Sequence, residues 1–168
     1  MGRDRRRLAV VHHAAEVWGA ALREAEPRLD LRAWHPREAM EADPSWLSEA
    51  GALFTWRFPS GFLAKMPCLE WVQNAGAGLD HLVNHPELPR GVAITRADGR
   101  FGLWIARYVC AHLLFEAQNM AACQRAQAER RWMGRDTPER LHGKTALVVG
   151  FGRIGRFTAY SQFSASSR

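Results

Sequence analysis

The 168 residues are 47% hydrophobic and 24% charged, ordinary proportions for a globular chain, which excludes a wholly disordered protein and leaves room for one full domain and part of another. The net charge is +6, but the basic residues, of which only Lys65 and Lys144 are lysines, are dispersed except for Arg3, Arg5, Arg6 and Arg7 at the terminus; nucleic-acid binding would rest on net charge alone. Cys68, Cys110 and Cys123 form an odd set without C-x-x-C spacing, against a disulfide framework or zinc ribbon and in favour of a reducing cytoplasm, and no apolar run reaches the roughly 20 residues needed to cross a bilayer.

The segment 7–11 is a short buried-strand pattern, and 14–25 follows with Val17, Trp18, Ala21 and Leu22 at helical spacing. The unit repeats: a strand over 29–34, a helical turn that Asp43 caps and Pro44 opens, and a strand over 52–56. A turn at 59–61 and a short helical piece ending at Met66 lead to a strand over 69–74, a glycine-rich loop at 75–78, a short helix over 79–83 and a fifth strand over 91–95. Strands alternating with helical connections predict an α/β fold with a largely parallel sheet, complete by residue 98. From Phe101 to Trp132 there is no proline and only one early glycine, which predicts a single long helix, apolar around most of its first half and therefore buried on more than one side, between domains or between subunits. A linker around 136–139 precedes a further strand over 146–149.

Directly after that strand come Gly150, Phe151, Gly152, Arg153, Ile154 and Gly155, a G-x-G-x-x-G spacing. In a dinucleotide-binding unit the first glycine makes a tight turn, the second admits the pyrophosphate and the third packs helix against strand, while helix N-terminal amides hold the anion. The segment 142–145 is no P-loop, because Pro138 stands where that motif needs glycine. His81 and His85 stand four apart beside Asp80, half a metal site without a third ligand at suitable spacing, so no metal is expected. Of the adjacent His12 and His13, at most one can face a cleft. Asp80 reads as capping or orienting the short helix after the loop. Trp18, Trp34, Trp71 and Trp104 read as core residues.

Four ordered blocks resemble the D-isomer-specific 2-hydroxyacid dehydrogenases, particularly the glyoxylate/hydroxypyruvate reductase branch: 69–82 (LEWVQNAGAGLDHL), 88–96 (LPRGVAITR), the long helix, and 141–155 (LHGKTALVVGFGRIG). The resemblance implies a flavodoxin-like substrate domain over 1–98, a linking and dimerisation helix with its linker over 99–140, and the start of a Rossmann domain over 141–168. It implies reduction of 2-oxo acids with NAD or NADP as cofactor, in a cytoplasmic homodimer. Carried over, Ala77 and Gly78 hold the substrate carboxylate, Trp56 and Arg57 line the cleft, and residues 150–155 hold the cofactor phosphates, with binding expected to be weak. The family's catalytic Arg, Glu and His follow the fingerprint and match nothing in these 168 residues, so no catalytic residue is assigned and the chain is expected to be inactive as given. The competing reading is a non-catalytic carboxylate-binding or assembly module. The family's acidic residue before the tyrosine of the long helix is replaced here by Arg107, before Tyr108.

Overall fold

The computed structural model describes residues 7–99, 101–134 and 138–163, which fall into two compact units divided between Asp98 and Gly99. In the first unit β1 (Arg7–Val11), β2 (Asp30–Trp34), β3 (Ala50–Thr55), β4 (Trp71–Asn74) and β5 (Ala93–Arg96) form one sheet in the order β2-β1-β3-β4-β5. Every neighbouring pair is parallel. This is the doubly wound order of flavodoxin-like folds. All five expected strands are present, with ends displaced by at most two residues.

The alternation of a strand divides the core between the two sheet faces. Leu8, Val10 and Leu31 pack on one side with Leu22 and Leu29. Ala9, Val11, Leu53 and Val72 point to the other. Helix α1 (Ala15–Ala25) packs against β1 and β2. The second face is filled by short pieces: α2 (Pro44–Leu47) supplies Trp46 and Leu47, a 3₁₀ turn at Leu63–Lys65 and its flanks supply Phe62, Leu63 and Met66, and α3 (Asp80–Val83) supplies Leu82. Asp43 caps α2 as its sequence implies, its Oδ1 accepting from the Ser45 amide at 2.9 Å with Pro44 in the first turn. Asp80 does not cap α3: Leu79 holds that position and no side chain caps the helix, Asp80 being one residue too late. Because all strands run parallel, their carboxyl ends share one edge, and the segments after residues 11, 55, 74 and 96 leave from it.

The second unit contains α4 (Phe101–Ala117), α5 (Met120–Ala128) and α6 (Arg153–Phe163), with α6 packed along α4. The single helix expected over 101–132 is broken at Asn119, whose φ of 50° is left-handed, a conformation asparagine tolerates better than most residues. The Glu139 amide caps one carbonyl freed by the break, that of Ala117, at 2.8 Å. The helix also ends early, at Ala128, where Arg130 turns left-handed and the Arg131 amide returns to the Ala126 carbonyl. The strand expected over 146–149 is a further correction: the segment is irregular, with Leu147 88% and Val149 92% exposed. A parallel strand needs neighbours for its backbone groups, and no strand is described in this unit to supply them. Trp104, Tyr108 and Leu114 are more than half exposed on α4, the helix expected to be buried between domains or between subunits. No helix among the described residues is long and apolar enough to cross a membrane.

Candidate functional site

Thr55 and Asn74 are register partners at the ends of β3 and β4, so the segments that leave these strands begin side by side. The Ala75 amide donates to the Thr55 carbonyl at 2.8 Å, extending the ladder one step. Trp56 then lies over Gly76: a Cβ on Gly76 would sit 1.6 Å from the indole ring, so only glycine admits it there. His81 packs on the same ring, with centroids 5.1 Å apart.

The carbonyls of Gly76, Ala77 and Gly78 are all engaged. Asn74 is fully buried, and its Nδ2 donates to the Gly76 carbonyl at 2.9 Å and the Gly78 carbonyl at 2.8 Å. The Ala97 amide also reaches Gly76, at 3.1 Å, and Arg96 Nη1 donates to the Ala77 carbonyl at 3.3 Å. Among the described residues the amides of Gly76, Ala77 and Gly78 donate to no protein acceptor, and Ala77 and Gly78 are exposed. In a trans peptide the N–H points opposite the preceding C=O. Anchoring the carbonyls of 76, 77 and 78 therefore aims the amides of 77, 78 and 79 the other way, and consecutive amides so presented bind anions.

Of the residues expected at this site, Trp56 is in contact with the loop, Ala77 and Gly78 form its open face, and Arg57 follows Trp56 on the same sheet edge. Arg57 is exposed and makes no hydrogen bond or ion pair among the described residues. Asn74 and Arg96 were missed. Their signal was a polar residue closing a buried strand and a cation closing the next one.

Besides His81, the other histidines of the first unit make their own local contacts. His12 Nδ1 accepts from the Ala14 amide at 3.0 Å, and the ring stands 6.2 Å from those of Trp18 and Phe54. Burial, with a smaller contribution from neighbouring His13, holds its pKa below the usual histidine range. His13 Nδ1 lies 3.4 Å from His35 Nε2, and His85 Nδ1 accepts from the Glu87 amide. No group of three or more potential metal ligands occurs among the described residues. A cavity of about 540 Å³ opens at the opposite, amino edge of the sheet, lined by Arg7, Leu8, Glu49, Cys68 and Trp71 among others. Its cation is already paired, Arg7 with Asp30 and Glu49. Ligands of parallel sheets gather at the carboxyl edge, where the free amides are.

At the second glycine-rich segment, Gly150 turns with φ of 91°, and a Cβ on Gly155 would meet the Gly150 carbonyl oxygen at 2.1 Å, so both positions require glycine. The turn and the start of α6 fit the phosphate portion of a dinucleotide. Gly152 has open space around it, and Phe151, Arg153 and Ile154 are exposed. No second strand with its acidic end is described to hold a ribose, so the fit stops at the phosphates.

No protein-family model matches the chain. It is 27% identical over 151 residues to glyoxylate/hydroxypyruvate reductase A of Serratia proteamaculans (strain 568), covering 86% of this chain and 45% of that protein. A D-isomer-specific 2-hydroxyacid dehydrogenase family protein from Aeromonas salmonicida subsp. salmonicida A449 superposes with a TM-score of 0.81 at 25% identity, over 95% of this chain and 50% of that one. A D-isomer-specific 2-hydroxyacid dehydrogenase from Xanthobacter autotrophicus Py2, solved with NADPH and MES, superposes with a TM-score of 0.67 at 29% identity, over 92% and 49%. The chain spans about half the length of these relatives. In sequence and in fold they are D-isomer-specific 2-hydroxyacid dehydrogenases, the family to which the motifs pointed.

Proposed function

We propose that these residues form the acid-binding portion of an NAD(P)-dependent oxidoreductase that reduces 2-oxo acids of the glyoxylate or hydroxypyruvate type to D-2-hydroxy acids. The observation that carries this reading is the loop at 75–78, whose outward amides lie beside Trp56 at the carboxyl edge of a parallel sheet. Ala77 and Gly78 hold the carboxylate, Trp56 walls the cleft, and Arg57 adds a charge-assisted contact. Residues 150–155 take the pyrophosphate of NAD or NADP, weakly, because the phosphate turn supplies only part of the affinity of a dinucleotide.

On their own these residues bind the acid without reducing it. Hydride transfer needs a cation on the carbonyl, a positioned acid, and a nicotinamide about 3 to 3.5 Å from the carbonyl carbon. The histidine packed nearest the loop, His81, keeps its Nε2 buried. Tryptophan fluorescence titrated with hydroxypyruvate tests the acid site, and NAD(P)H absorbance in the presence of glyoxylate or hydroxypyruvate tests the chemistry. Saturable quenching without absorbance loss is expected. Protein-dependent oxidation of NAD(P)H would overturn the inactivity, and absent quenching would overturn the site.

A second reading, an assembly module without catalysis, is favoured by the exposed Trp104, Tyr108 and Leu114 of α4. Both readings take the protein as a cytoplasmic homodimer formed through that helix. Light scattering on dilution should show a concentration-dependent dimer, and a monomer at every concentration would remove the dimer from both.

A further inference from the structure

The geometry points to Glu87 as a positioning residue of the acid-binding edge: its carboxylate ties the segment that leaves β3 to the segment that follows α3, and so keeps Trp56 seated on the loop at 75–78. The inference rests on the acid-binding reading of that loop and adds to it a residue that touches no ligand.

The two segments begin side by side, where Thr55 and Asn74 are register partners. Three contacts then join them in the same order along both. Trp56 lies over Gly76 and packs on His81, with ring centroids 5.1 Å apart. The ring of Phe58 stands edge-on to that of His85 at 4.8 Å. Ser60 Oγ donates to Glu87 Oε1 at 2.9 Å, and the Gly61 amide donates to Oε1 at 3.0 Å and Oε2 at 2.8 Å.

The first two contacts are ring packing, and the third is directional. The Gly61 amide, followed by the Ser60 hydroxyl, holds the Glu87 carboxyl below the usual carboxylate range, as expected of an ionised acceptor of charge-assisted bonds. His85 Nδ1 accepts from the Glu87 amide at 3.2 Å, so the ring that packs on Phe58 also steadies the backbone bearing the carboxylate. Beyond the clasp, Phe62 and Leu82 are fully buried and anchor each segment to the core. Loss of Glu87 therefore leaves the fold standing and frees residues 56–61, whose near end is Trp56. The indole makes no hydrogen bond among the described residues, and its seat on Gly76 depends on packing alone.

The test titrates hydroxypyruvate into the whole chain by calorimetry at pH 8, for the unaltered protein and for Glu87→Ala, Glu87→Gln, Ser60→Ala and Glu24→Ala. Glu24 is an exposed acid on α1 and controls for net charge. Glu87→Ala should weaken binding about threefold to tenfold, the size of coupling seen within one contact network. Removing a negative charge would by Coulomb's law leave the affinity for an anion unchanged or raise it, so a loss reports position and not charge. Glu87→Gln keeps an acceptor oxygen and should recover most of the loss. Ser60→Ala removes one of the donors and should give a smaller loss in the same direction, which keeps the inference testable should Glu87→Ala not fold. Glu24→Ala should change nothing. Tryptophan emission supplies a second readout: Glu87→Ala should alter it in the unaltered background and leave it unaltered in Trp56→Leu, which a general loosening of the fold would not do. Affinity in Glu87→Ala within twofold of the unaltered chain, a loss in Glu87→Gln as large as in Glu87→Ala, or the same emission change with and without Trp56 overturns the inference while leaving the acid site standing. Failure of the unaltered chain to bind hydroxypyruvate overturns the acid site and the inference together.

Discussion

Two glycine-rich turns follow runs that read as strands, one at 75–78 after 69–74 and the other at 150–155 after 146–149. In the first, β4 lies between β3 and β5, Val72 is fully buried, and the turn is pinned by Asn74, Ala97 and Arg96. In the second, Leu147 and Val149 are almost wholly exposed, yet Gly150 still turns and α6 still forms. Turn and helix are local, set by a left-handed glycine and by i to i+4 hydrogen bonds. A strand is not local, because its polar backbone groups are satisfied only by another strand.

The contrast is broken most directly by truncating one apolar residue from each run that reads as a strand. Leu53→Ala, at a fully buried position of β3 beside β4, should cost about 2 to 5 kcal/mol in urea denaturation followed by tryptophan fluorescence, from lost burial and the cavity left behind. Val149→Ala should stay within about 0.5 kcal/mol, as surface changes do. Comparable losses at both positions would show that 146–149 is packed after all. A smaller effect separates the two turns themselves. Gly76→Ala puts a Cβ where the Trp56 ring lies and should cost about 1 to 3 kcal/mol while blue-shifting or broadening the tryptophan emission. Gly152→Ala meets nothing within 4 Å and should leave both stability and emission unaltered.

The parallel sheet was legible because β1 and β3 are short, largely apolar runs of strand length punctuated by turn residues, and because each crossover had a helical pattern between strands. Trp56, Ala77 and Gly78 were legible through the family blocks. Asn74 and Arg96 were not, because their roles depend on which strand lies next to which: Arg96 matters only once β5 pairs with β4. The break at Asn119 was hidden for a related reason. An asparagine between Gln118 and Met120 is compatible with a continuous helix, and what favours the left-handed turn includes the distant Glu139 amide on the Ala117 carbonyl. The segment 146–149 misled because β-branched apolar composition reports only that a strand is possible.

The smallest expected effect concerns pH and belongs to the first unit alone. His12 closes β1 with its Nδ1 accepting the Ala14 amide, a bond that only the neutral ring makes at that atom. Burial and, secondarily, His13 lower its pKa in the fold below the ordinary value of 6.5. A depressed histidine pKa means that the folded state binds fewer protons than the unfolded one, so this contribution is fully present above pH 6.5 and is lost as pH falls through the folded pKa. The bond at stake is one ordinary hydrogen bond, about 1 kcal/mol or less. Thermal melts between pH 8 and pH 5 should therefore show a modest acid-side decline in the transition reported by Trp18, whose ring stands edge-on to His12. In His12→Gln, which does not titrate, that decline should shrink while the remainder, carried by other groups, stays. An unchanged acid-side slope in the variant would place the titrating group elsewhere, and a larger one would mean that His12 is protonated in the fold.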